Sequence, residues 1–168
     1  DIMRQYGGVG YPVDWTKPYI LMVQHPVTTS YGNGLFQVTE NLEALKKVKD
    51  IRKIVLWPNV DAGSDDVSKG IRVFRENNMH ENFHYYRNFT PEDYARVLKN
   101  AACCLGNSSS FIREGAFLGT PAVVVGDRQE GREHSDNVKF TDHQRDKIFE
   151  TLRKQLSNGR YVSCKIFG

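Results

Sequence analysis

The sequence predicts an α/β protein built on one doubly wound parallel sheet. Three observations predict it. Short runs such as residues 19–24, 53–57 and 122–125 are apolar with little or no polar alternation, the pattern of strands buried on both faces. Segments with apolar residues at helical spacing follow these runs, so strand and helix alternate. The stretches after the strands are polar and rich in Gly, Ser, Asn and Asp. With right-handed crossovers those stretches emerge at one edge of a Rossmann-like sheet, where ligands bind beyond the carboxyl ends of the strands.

The elements follow in order. Residues 1–17, with Gly7, Gly8, Gly10 and Pro12, form a lead-in segment. Residues 19–24 form the first strand. Leu35, Val38, Leu42, Leu45 and Val48 mark a helix over 35–48. Residues 53–57 form the second strand, and Val67, Ile71 and Phe74 line one face of a helix over 65–77. Residues 83–87 read as a third, more polar strand near the sheet edge. Thr90 as N-cap, Pro91 at the first position and the early acids Glu92 and Asp93 open the next helix. Residues 101–105 make the fourth strand. A helix over 110–118 is stopped by Gly119, Thr120 and Pro121. Residues 122–125 are the fifth strand, 137–140 a short sixth, and 142–156 the last helix.

Composition bounds the function. At 168 residues, 39% hydrophobic and 26% charged, the chain reads as a single globular domain over 1–168. A net charge of +3 suits an anionic small molecule and gives no support to nucleic acid. No apolar stretch approaches the roughly eighteen residues of a membrane span. The cysteines are Cys103, Cys104 and Cys164. An odd number, with two adjacent in an apolar strand, argues for a reducing compartment and a cytoplasmic protein. The histidines His80, His84, His134 and His143 show no metal-ligand spacing. G-x-G-x-x-G, Walker and G-x-S-x-G motifs are absent, which disfavours dehydrogenase, P-loop and α/β-hydrolase chemistry.

The candidate ligand groups lie in the turns after the strands. Asn107, Ser108, Ser109 and Ser110 follow the fourth strand and open a helix. Hydroxyls and free N–H groups at a positive helix end hold phosphate; simple helix capping is the alternative. Glu114, about one turn further, is either an acceptor for ribose hydroxyls or a solvated acid. Together these suggest a nucleotide diphosphate-sugar. His25, held extended by Pro26, is placed to donate to a diphosphate or to move a proton, unless nearby backbone satisfies it. The turn with Asn59, Asp61, Gly63 and Ser64 contacts ligand, or is only a turn and an N-cap. Arg128 and Arg132 suit bidentate phosphate contacts, or form a local ion-pair cluster with Glu130 and Glu133. Tyr94 stacks on uracil, or packs in the core beside Leu98.

Five co-linear segments resemble the hydrolysing UDP-N-acetylglucosamine 2-epimerases of sialic acid synthesis. They are Gln24-His25-Pro26-Val27-Thr28-Thr29, Pro58-Asn59-Val60-Asp61-Ala62-Gly63-Ser64, Gly106-Asn107-Ser108-Ser109 with Arg113-Glu114, Gly119-Thr120-Pro121, and Arg128-Gln129 with Gly131-Arg132-Glu133. The resemblance implies the carboxyl-terminal, UDP-binding half of a two-domain GT-B-like enzyme, with the amino-terminal domain and the last helix outside this chain. It implies elimination of UDP across C1 and C2 of the sugar, then hydration to N-acetylmannosamine, without metal or redox cofactor. His25 would contact the diphosphate and sugar, Ser108 and Ser109 the phosphate, Glu114 the ribose, Arg128 the diphosphate, and Tyr94 the uracil. The acidic catalytic residues would lie in the other domain, leaving this piece inactive alone; the full-length protein would be a homo-oligomer. Non-hydrolysing relatives carry arginines after the histidine and a Ser-Gly-Gly loop. Pro26-Val27 and Ser108-Ser109-Ser110 stand here instead, which favours the hydrolysing branch. The alternatives are the donor domain of a GT-B glycosyltransferase, a 2-epimerase of another UDP-acetamidosugar, and a non-catalytic UDP-sugar-binding module.

Overall fold

The computed structural model describes residues 9–10, 15–26, 33–58, 64–79, 81–87, 89–126, 129, 131 and 133–165, with side chains described for all but 9, 10, 64 and 65. The strands are β1 (Val9–Gly10), β2 (Tyr19–Val23), β3 (Arg52–Leu56), β4 (Phe83–Tyr86), β5 (Cys103–Gly106), β6 (Ala122–Val125) and β7 (Val138–Thr141). The helices are α1 (Gly34–Lys47), α2 (Ser64–Asn77), α3 (Pro91–Asn100), α4 (Arg113–Leu118) and α5 (Arg145–Asn158), with a 3-10 turn at Ser109–Phe111.

The sheet order is β1-β4-β3-β2-β5-β6-β7, parallel throughout except for β1, which pairs antiparallel with β4. The chain winds outward from β2 through β3 to β4. It then crosses back to lay β5 on the other side of β2. That reversal is the switch point of a doubly wound sheet.

Successive strand residues face opposite sides. Ile20 and Met22 join one core cluster with α1, α2 and α5 through Val38, Leu42, Ile71 and Leu152. Tyr19, Leu21 and Val23 join a second with Val97 and Leu98 of α3 and Phe111 of the 3-10 turn. The adjacent thiols follow the same alternation. Cys103 lies in the first cluster and Cys104 in the second; both are free and buried. Among the described residues no helix is long and apolar enough to cross a membrane.

Three expectations need adjustment. The strand read as more polar at 83–87 lies next to the sheet edge as expected, yet all four residues of β4 are buried, His84 included, with Phe83 and Tyr85 in the first core cluster and Tyr86 in the second. The helix expected over 110–118 splits into the 3-10 turn and α4, since Ser108 caps the turn first. The last helix begins at Arg145 rather than 142. Glu40 of α1 decides that start: its Oε1 accepts from the Arg145 N–H at 3.1 Å, and its Oε2 accepts from Nε and Nη2 at 2.9 and 2.7 Å. A carboxylate from another helix thus does the capping that Gln144 does not.

Candidate functional site

The switch point is built from backbone first. β2 and β5 stay in register until Val23 faces Gly106. Gly106 has φ +140°, and a Cβ there would stand 1.9 Å from the Val23 carbonyl oxygen, so only glycine allows the strands this approach. One more rung follows, with Asn107 N–H donating to Val23 C=O at 3.2 Å.

Beyond that rung the Asn107 side chain replaces backbone. Its Oδ1 accepts from the His25 N–H at 2.7 Å, and its Nδ2 donates to the His25 carbonyl at 2.9 Å. The amide thereby pairs with His25 as a neighbouring strand residue would. Asn107 is 1% exposed and His25 half-buried, so both bonds are partly shielded from water. Its own carbonyl accepts from Nε2 of Gln129 at 3.0 Å. Gln129 belongs to the turn after β6 and is itself buried. The turns after β2, β5 and β6 are therefore bonded into one unit at the carboxyl edge. Just behind it, buried Gln24 accepts from Asn41 Nδ2 of α1 at 3.0 Å.

The serines form a second group. Ser108 is buried, and its Oγ caps the 3-10 turn by accepting from the Ser110 N–H at 3.3 Å. The Ser108 and Ser110 hydroxyls are 2.8 Å apart, and Tyr94 Oη lies 2.6 Å from Ser110 Oγ. Burial pushes the Tyr94 phenol up to about 12, with the bond to Ser110 pulling the other way. It keeps its proton at physiological pH, so its hydroxyl can donate to or accept from Ser110 within the chain of hydroxyls. The Tyr94 ring packs against the second core cluster. Ser109 is partly exposed, and Glu114 is exposed in the first turn of α4.

Among the sequence-predicted groups, the structure brings His25 to Asn107, and Ser108 and Ser110 to Tyr94. Asn107 spends its amide on the His25 backbone. Asn59, Asp61, Gly63, Arg128 and Arg132 lie outside the described residues; Ser64 opens α2, with its side chain outside them. Among the described residues no three His, Cys, Asp or Glu side chains gather as a metal site. The sequence reading missed Gln129 and Asn41 as parts of the site. Nothing in the local pattern marks either, because their partners are 22 and 17 residues away.

The sequence profile of a family described as UDP-N-acetylglucosamine 2-epimerase matches residues 9–166. The chain is 26% identical over 165 residues to the UDP-N-acetylglucosamine 2-epimerase of Neisseria meningitidis serogroup B, covering 98% of this chain and 41% of that one. It is 30% identical over 156 residues to the UDP-N,N'-diacetylbacillosamine 2-epimerase (hydrolyzing) of Legionella pneumophila, covering 92% of this chain and 40% of the other. The crystal structure of the Neisseria meningitidis UDP-GlcNAc 2-epimerase bound to UDP-GlcNAc superposes with a TM-score of 0.62 at 16% identity, over 82% of this chain and 36% of that one. That last likeness is one of fold. The chain spans about 40% of the length of these curated relatives.

Proposed function

The chain belongs to the UDP-N-acetylglucosamine 2-epimerase family, and from that premise we propose that it is the UDP-binding domain of a hydrolysing member. Its fold is a Rossmann-like half of the GT-B kind. In the proposed reaction a proton leaves C2 of the sugar, the C1–O bond breaks, UDP departs, and a C1–C2 double bond forms. Water then returns a hydroxyl to C1 and a proton to C2 with inverted configuration, releasing N-acetylmannosamine. The sequence is redox-neutral and the proposal includes no cofactor.

This chain's part is electrostatic: it holds the departing UDP and stabilises its growing charge. Ser108 and Ser109 donate to phosphate, Arg128 and Arg132 face the diphosphate, and Glu114 accepts from the ribose. Asn59, Asp61, Gly63 and Ser64 contact the substrate, and His25 acts next to the breaking bond. A second domain of the full-length, homo-oligomeric, cytoplasmic protein supplies the catalytic acids. The observation that carries this reading is the junction of His25, Asn107 and Gln129 at the switch point, in a chain matched to the family from residue 9 to 166. The departures at Pro26-Val27 and Ser108-Ser109-Ser110 support the hydrolysing branch.

Incubating full-length protein with UDP-N-acetylglucosamine is the test. Equal amounts of UDP and N-acetylmannosamine are expected. Folded full-length protein that releases neither sugar nor UDP overturns the reading. The 30% identity to a diacetylbacillosamine enzyme favours a second substrate, UDP-N,N'-diacetylbacillosamine. Comparing kcat/KM for the two sugars decides between them.

A further inference from the structure

Gln129 sits in a turn whose other residues are Asp, Arg, Glu and Gly, yet it is 4% exposed and reaches into the neighbouring turn. Its Nε2 donates to the one carbonyl of the residue that holds His25 by both backbone groups. Three turns that are far apart in sequence are thus joined in series, from β6 through β5 to β2. A buried amide is costly to leave unbonded, so breaking one of these links carries a cost that resists movement.

We propose that Gln129, acting through Asn107, is a positioning residue for His25, so that the histidine keeps its place more firmly while the bond from Gln129 to the Asn107 carbonyl is made. The proposal rests on the function assigned to His25 above and adds to it. Gln129 itself touches no substrate.

The test uses full-length protein and two readouts. Gln129→Met keeps the length of the side chain and removes the donor. In the variant, amide hydrogen exchange in a peptide containing His25 should quicken by about tenfold, the worth of one buried hydrogen bond. With UDP-N-acetylglucosamine as substrate, kcat should fall by about tenfold while KM moves less than about twofold. In a His25→Ala background the same substitution should lower the residual rate by less than about twofold, because the residue it positions is gone. Gln129→Asn, too short to reach the Asn107 carbonyl, should behave as the methionine variant does. Unchanged exchange at His25, or an equal loss of rate in both backgrounds, overturns the proposal. If the unmodified protein turns over no UDP-sugar, the functional reading fails, while the exchange measurement still decides whether Gln129 holds His25.

Discussion

The two edges of the sheet use the same device for different ends. At the carboxyl edge, Asn107 and Gln129 donate and accept in place of backbone, and what they hold is the turn that carries His25. At the amino edge, Asn137 donates to the carbonyls of Phe111 and Thr120 at 3.1 and 2.9 Å, and Gln155 donates to those of Ala122 and Asn137 at 2.8 and 2.9 Å. Arg160 adds bonds to Ala101, Leu118 and Thr120, and Tyr161 N–H closes onto Gly119 at 2.9 Å. These join helix ends, strand starts and the tail to one another. One edge binds elements together; the other binds the turn that carries His25 to the neighbouring turns. The difference teaches that a buried amide does not announce its purpose. What it holds decides whether its loss is felt in stability or in turnover.

The largest effect on this contrast should come from Asn137→Ala. Two carbonyls lose their donor at a fully buried site, and the unfolding free energy should fall by about 3 kcal/mol in a urea titration. UDP affinity, measured by calorimetry, should stay within about twofold; a parallel loss of affinity breaks the division between the edges.

Gly119→Ala comes next. Gly119 has φ +72°, and a Cβ there would meet the Tyr161 carbonyl oxygen at 2.2 Å. Because the tail can shift away, a loss of about 2 kcal/mol is expected. The amide of Tyr161, which donates to Gly119, should exchange faster.

Lys53, at the amino end of β3, sharpens the contrast through pH. Burial pulls its ammonium down to about 8 from the ordinary 10.5, against the pull of Glu81; it donates to the Val48 carbonyl and lies 5.4 Å from the Phe83 ring centre. Between those two values the unfolded chain binds more protons at this site, so the share of stability that Lys53 contributes rises with pH from about 8. The buried Cys103 and Cys104 thiols, pushed up by burial, act oppositely from their ordinary 9, and the Tyr19 and Tyr85 phenols from their ordinary 10. The Lys53 share is therefore read as the difference between the unchanged protein and Lys53→Met, which should shift by about 1–2 kcal/mol between pH 8 and 10. The smallest stability effect belongs to Ser108→Ala, about 1 kcal/mol or less from a lost cap, with UDP affinity down about tenfold. A stability loss larger than that of Asn137→Ala would reverse the roles of the edges.

Much of the architecture was legible because burial is written locally. β6 was read at its true bounds, and the runs at β2 and β3 within a residue or so, since uninterrupted apolar residues leave no other place for them. β4 misled because His84 and the tyrosines look polar, while Tyr85 packs into the first core cluster, Tyr86 into the second, and His84 against Tyr86. At the candidate site, His25, Asn107 and Ser108 stand in turns after strands, as their places in the sequence predicted. That Asn107 would turn its amide toward His25 was not readable, nor that the Tyr94 hydroxyl would reach Ser110.

Sequence alone determined the alternation of strand and helix, the parallel sheet, the edge that carries polar turns, and the family resemblance, because each is set by spacing within a few residues or by motif order. Tertiary structure alone decided where α5 starts, which strand is covered, and which amide holds which turn. Those depend on hydrogen bonds between groups 22 to 105 residues apart, such as Gln129 to Asn107 and Arg145 to Glu40. A buried donor must find an acceptor somewhere, but only the folded chain says where.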